Sequence, residues 1–330
     1  MNLLKTIEDR ARAVCPRIMF PESDEPRILE MACEAVTRGI ARPILVGDER
    51  EIGALAAQHG ISLEGVSVMP MDEALLDEYA ENFSSEQPAV SWKMMRRKLK
   101  SPLYFAACMV HYNDADSFIA GYRHSTGDVI LAASSMIGYA EGVSTISSFN
   151  LVTIPGFQGS EGENIIFTDV AVCVDPSAEK LAEIAMLAAD AARRLIGWEP
   201  RVAFLSYSTK GSGESPFVEK VTNALEILHA RRPDIVADGE FQLEVALSES
   251  AACKKLEEPG EVAGRANILV FPDIQAGNTD IKAVKLFAKA NSIGPILTGF
   301  RKPVSDLSRT GSLEHLISTV SAVATLCGND

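Results

Sequence analysis

Short apolar, β-prone runs alternate with amphipathic helical stretches along most of the chain, and this alternation confines it to an α/β fold with mostly parallel sheets. Residues 17–22 (RIMFPE) read as a short buried strand ending in a loop, 25–38 as the helix that follows, and 41–47 (ARPILVG) as the next strand. Elements in that order pair in parallel through a right-handed crossover. The same rhythm returns downstream. Residues 201–207 form a strand, 208–213 a glycine- and hydroxyl-rich loop, 218–230 a helix, and 235–242 a strand running into a loop. Near the end, 268–271 (ILVF) is a strand, Pro272-Asp273 a turn, Gly277-Asn278 a break, 279–290 a helix, and 294–297 a further apolar run.

Residues 3–14 are expected to be helical, with Leu3, Leu4, Ile7 and Ala11 on one face. Residues 72–83 and 91–100 also read as helices, and 114–121 as a loop entering a buried strand. Residues 143–153 and 164–174 are both β-prone and are joined through a hairpin loop at 155–162; Asp175-Pro176-Ser177 then opens a helix reaching about Leu195. This change of sheet places a domain boundary near residues 140–143. Length agrees, since 330 residues exceed what one core usually supports.

The formal net charge of −14 argues against general nucleic-acid binding, which needs a basic face. An anionic substrate would require a local basic pocket, for which Lys210, Arg301, Lys302 and Arg309 are candidates. The basic run at 93–100 is better explained as a solvated helix face. Six cysteines without metal-ligand or CxxC spacing point to free thiols in a reducing compartment. No apolar run reaches membrane-spanning length and the N-terminus has no signal-like apolar segment, so a cytoplasmic protein without membrane partners is expected.

In an open α/β sheet, ligands sit at the carboxyl ends of strands. The loops there hold the residues able to do chemistry: Ser208, Thr209, Lys210, Gly211 and Ser212 in one, Gly277 and Asn278 in another, and Arg301, Lys302, Ser308 and Arg309 in the last. A glycine loop before a helix can offer backbone N–H groups to a phosphate, although glycine serves tight turns equally well. Arg123, His124 and Ser125 follow the strand ending near Gly121.

FPDIQAGNTDIKAVK, IGPILTGFRKPVSDLSR and LSYSTKGSG resemble, in this order, blocks of the phosphate acetyltransferase and phosphate butyryltransferase family, and the likeness extends back to FPESDEPRILEMA. The resemblance implies two α/β/α domains with an interdomain cleft, as in isocitrate dehydrogenase: residues 1–142 with 299–330, and residues 143–298. It implies a cytoplasmic homodimer that moves an acetyl group between coenzyme A and inorganic phosphate, with no metal or bound cofactor and with coenzyme A as substrate. Phosphate butyryltransferase activity, or an acyl-CoA or acyl-phosphate binding protein with weakened catalysis, are the alternatives.

Carried over position by position, Ser308 matches the serine that hydrogen-bonds the reacting group and Arg309 the arginine that grips phosphate. Lys302, Arg301, Asn278, Gly277, the 208–212 loop, His124 and Ser125 complete the substrate pocket. Two positions depart from the family pattern. The base aspartate seven residues after the serine is replaced by His315, with Glu314 beside it, and the arginine of the block after residue 121 is replaced by Leu131. An imidazole can accept protons near neutral pH, so His315 and Glu314 are the candidate bases.

Overall fold

The computed structural model describes residues 3–328. The chain divides into two compact units, one formed by residues up to Ala140 together with those from Phe300 onward, the other by Glu141–Gly299. The first unit begins with α1 (Leu3–Val14), β1 (Arg17–Phe20), α2 (Pro26–Thr37), β2 (Arg42–Val46), α3 (Glu49–His59) and β3 (Ser67–Met69). It continues with α4 (Glu73–Glu86), α5 (Trp92–Lys98), α6 (Pro102–His111), β4 (Ser117–Ala120) and α7 (Thr126–Met136). The second unit holds β5 (Ser147–Thr153), β6 (Asn164–Thr168), α8 (Ala178–Ile196), β7 (Arg201–Leu205), α9 (Pro216–Arg231) and β8 (Val236–Phe241). After these come α10 (Leu243–Leu247), α11 (Glu249–Lys255), β9 (Ile268–Val270), α12 (Ile274–Phe287) and β10 (Asn291–Thr298). The chain then returns to the first unit as β11 (Val304–Asp306) and α13 (Leu313–Cys327).

In the first unit the strands run in the order β3-β2-β1-β4-β11, and every pairing is parallel. Parallel strands must be covered on both faces, which is why β1 and β4 are almost continuous apolar runs. Phe20, Phe118, Ile18 and Met19 are wholly buried there, with Phe83 and Phe105 packed from the helices. Helices α1, α2 and α13 form one contacting group, and α6 and α7 another. In the second unit the order is β10-β5-β6-β9-β7-β8, with β10, β5 and β6 antiparallel to their neighbours in turn and the remainder parallel. Its core gathers Val152, Ile165, Phe167, Phe241, Leu269 and Phe271, the Phe167 and Phe271 rings lying 5.2 Å apart between centroids.

Local sequence sets the helix ends. The Asp48 carboxylate accepts from the N–H groups of Arg50 and Glu51 at the start of α3, and Gly60, at φ 68°, closes that helix in the left-handed region. Ser125 and Asp128 form a reciprocal capping box on α7, and Ser312 caps α13 by accepting from the His315 N–H.

Two readings from sequence are corrected, and one helix is added to them. Gly277 and Asn278 do not break the chain before the last helix of the second unit; they lie within α12, which starts at Ile274 because Asp273 caps it by accepting from the Ala276 N–H. The β-prone run at 164–174 stops at Thr168, where Asp169 gathers the N–H groups of Ala171, Val172 and Cys173 into a turn. Residues 126–136, including Leu131, form helix α7, and Leu131 is 57% exposed on it.

Candidate active site

Because β1, β4 and β11 are adjacent and parallel, the loops that leave their carboxyl ends converge. The first supplies Glu22, the second Tyr122 to Thr126, and the third the segment from Asp306 to Arg309. Glu22 is 2% exposed and acts as the hub. Its carboxylate accepts from the backbone N–H groups of Tyr122, Arg123 and His124 at 2.8, 2.8 and 2.9 Å, and its Oε1 lies 2.9 Å from His124 Nδ1. Burial alone would raise the Glu22 pKa, but the bonds from the His124 and Arg123 backbone, the His124 ring and Tyr122 outweigh it and hold the carboxyl below its ordinary value.

The third loop is fastened to the second. Arg309 donates from Nη2 to the carbonyl oxygens of Arg123 and His124, at 2.9 and 3.1 Å. Ser308 Oγ lies 3.3 Å from Thr310 Oγ1. The Leu307 N–H donates to Ala120 O, and Asp306 Oδ2 accepts from the Thr126 hydroxyl at 2.5 Å. Asp306 is 7% exposed; burial, with Glu22 adding to it, pushes its pKa up to about 6 against the opposing pull of Thr126 and Arg309. Ser308, Arg309, His124 and Ser125 are therefore drawn together around two carboxylates that the sequence reading did not single out.

Other candidates have partners of their own, and His315 stays close to the Ser308 turn through Gly311, whose N–H donates to Ser308 O. Arg301 donates from Nε to Ile137 O at 2.6 Å and stacks against Gly138, so its guanidinium is committed to the end of α7. Lys302 follows it, half-buried. Glu314 is 71% exposed in its side chain and ion-paired to Arg38, the residue that caps the end of α2, which also holds its carboxyl below the usual range. A carboxylate held ionised by a guanidinium is a poor proton acceptor, which weighs against Glu314 as the base. His315 lies in the first turn of α13, its ring packed over Gly311.

In the second unit the 208–213 loop is closed on itself. The N–H groups of Thr209, Lys210, Gly211 and Gly213 donate to Ser212 Oγ, Glu240 O, Glu240 Oε1 and Ser208 Oγ, and the Ser208 hydroxyl donates to Glu240 Oε1 at 2.7 Å. Lys210 is bound to Asp238 and Gly239 O. The buried Glu240 carboxylate needs donors and takes the Gly211 N–H and the Ser208 hydroxyl, while the N–H groups of Thr209 and Gly213 are taken by the loop's own serine hydroxyls. Gly277 and Asn278 dock on the turn after β6: Asn278 Nδ2 donates to Val170 O at 2.9 Å, and a Cβ on Gly277 would stand 2.4 Å from Asp169 O. Sequence reasoning missed Glu22, Asp306, Asp169 and Glu240. For Glu22, Asp169 and Asp306 the one signal is an acidic residue at or just past the end of a short β-prone run; Glu240 lies inside VADGEF and lacks even that.

Among the described residues, no group of three or more His, Cys, Asp or Glu side chains is placed to hold a metal ion, and no helix is long and apolar enough to cross a membrane. Residues 2–324 match the family profile described as phosphate acetyl/butaryl transferase. The chain belongs to the phosphate acetyl/butaryl transferase family. Within it, the chain is 38% identical over 328 residues to a phosphate acetyltransferase of Thermoanaerobacterium thermosaccharolyticum, covering 98% of this chain and 99% of that protein. It is 37% identical over 324 residues to one of Clostridium acetobutylicum, covering 97% of each. Among solved structures it resembles a phosphotransacetylase of Streptococcus pyogenes, with a TM-score of 0.91 and 31% identity over 99% of this chain and 98% of that one. The phosphate acetyl/butaryl transferase assignment thus rests on the chain almost from end to end.

Proposed function

We propose that this chain is a phosphate acetyltransferase: acetyl-CoA and inorganic phosphate exchange to acetyl phosphate and free coenzyme A. One observation carries the reading within the family. Arg309 is anchored by two main-chain carbonyls directly after Ser308, so a cation with several N–H donors is fixed beside a hydroxyl at the carboxyl end of β11. A guanidinium held in this way grips a phosphate oxygen pair without having to be ordered first, and a hydroxyl beside it can bond the acyl carbonyl as charge develops.

The reaction needs a polarised carbonyl, an oriented phosphate and a proton acceptor for the thiol, all of which side chains supply; neither metal nor bound cofactor enters the proposal. The reading extends to a cytoplasmic homodimer. The six free cysteines support a reducing compartment, and the exposed apolar side chains Leu286 and Phe287 at the end of α12 support an interface.

Arg309→Ala tests the placement of phosphate. Losing a charged hydrogen-bonding group should lower kcat/KM for phosphate by about 10- to 100-fold while the variant stays folded. An unchanged KM for phosphate with unchanged turnover would remove Arg309 from the site.

A further inference from the structure

We propose that His124, oriented by Glu22, is the proton acceptor for the coenzyme A thiol, in place of the aspartate that the chain lacks at position 315; the inference rests on the acetyl transfer proposed above. The imidazole and the buried carboxylate form a pair. Nδ1 lies 2.9 Å from Glu22 Oε1, and that same oxygen also accepts the His124 backbone N–H. A carboxylate kept ionised by so many donors can only accept, so Nδ1 carries the ring hydrogen and Nε2 carries the lone pair. The ring is therefore fixed in one tautomer and one orientation.

Its setting suits the task. The side chain is one-third exposed, at 33%, and lines an open cavity of about 480 Å³ together with Pro21, Ser23, Val46 and Pro102. The Arg309 guanidinium is bonded to the carbonyl oxygen of His124 itself, so the phosphate grip and the imidazole are fastened to one residue. The charged groups around the ring are Glu22 and Asp24 from the loop after β1, Arg123 beside it, Asp128 on α7, and Asp306 and Arg309 from the loop after β11. Asp24 and Glu25 are taken by Arg123, and Asp128 is held by Ser125. Glu22 is left as the carboxylate bonded to the ring.

In the direction of thioester synthesis, the thiol proton passes to Nε2 as the sulfur electron pair attacks the carbonyl carbon of acetyl phosphate. The carbon–oxygen bond to phosphate then breaks and its electron pair leaves with the phosphate oxygen. The imidazolium returns its proton to that oxygen, giving hydrogen phosphate, the thioester and neutral His124.

The test compares wild type, His124→Ala, His124→Asn and His315→Ala in thioester formation from acetyl phosphate and coenzyme A, with thermal melting of each. Asparagine keeps a donor for Glu22 and removes Nε2. Both His124 variants should lose kcat by 10²- to 10⁴-fold, the size of general-base catalysis, with KM for acetyl phosphate within about threefold. Added imidazole should restore part of the rate to His124→Ala. The proposal is overturned if the folded His124→Asn protein retains kcat within about threefold, or if the larger loss falls on His315→Ala. A wild type that turns over shows that any such failure belongs to the base alone; a wild type that does not turn over removes the acetyl transfer and the base together.

Discussion

Asp306 sits in surroundings that its type does not prefer: a carboxyl that is 7% exposed, near Glu22, with its pKa pushed up to about 6. A folded-state value above the ordinary 3.8 means that the native protein binds this proton more tightly than the unfolded chain does. The contribution is full below about pH 4 and is lost as pH rises through about 6, an effect on the order of 3 kcal/mol. Asp306→Asn removes the titration. The melting temperature of the variant relative to wild type should therefore rise between pH 4 and pH 7; a constant offset across that range would mean that Asp306 does not titrate there. Glu22 has the opposite sign, since its depressed carboxyl stabilises the fold at neutral pH and loses that contribution as pH falls. The two carboxylates were hard to find from sequence for one reason. Glu22 follows a strand after Pro21 and Asp306 ends one, and a single acidic residue after RIMFP or VS gives no indication of whether it turns outward to solvent or is buried.

At the level of elements, the sequence was most legible where apolar periodicity and caps agree. Helices α1, α2, α8 and α9 stand where their amphipathic patterns put them, and strands β1, β2 and β9 where short apolar runs are bounded by loop residues. Legibility failed where two signals conflict. Gly277-Asn278 looks like a chain break, yet Asp273 caps the helix ahead of it and the glycine is needed for a different reason: the backbone after β6 passes too close for a side chain. Gly277→Ala sets two effects against each other. Helix propensity favours alanine by about 1 kcal/mol, while a methyl group 2.4 Å from Asp169 O forces the turn to move, at a cost of roughly 1–3 kcal/mol. The clash should win, lowering the urea midpoint without changing its slope; a midpoint equal to or above wild type would show that the turn yields freely. Helix α7 was missed because the tract from Val129 to Ala133 is apolar on nearly every side, which leaves little periodicity to read. The 208–213 loop shows a different limit. Its residue types fit a phosphate cradle, but the Glu240 carboxylate, far downstream in the chain, takes the Ser208 hydroxyl and the Gly211 N–H.

For the whole molecule, a net charge of −14 has to coexist with substrates that are themselves anionic. Long-range attraction therefore does not gather them, and binding depends on a few cations placed at short range. Arg309 is one, and its carbonyl anchors leave its charge uncompensated by those two contacts, whereas Arg123 faces Asp24 and Glu25. The family assignment was legible from several sequence blocks in order, and it carries the reaction class; which acyl group is preferred depends on a pocket whose size no block encodes. Thioester formation from coenzyme A with acetyl phosphate and with butyryl phosphate, measured side by side on the wild-type protein, tests the central claim. The account predicts sustained turnover with acetyl phosphate, at a kcat/KM roughly tenfold or more above that for butyryl phosphate. Binding of both without turnover would contradict catalysis, and a preference for butyryl phosphate would contradict the acetyl assignment.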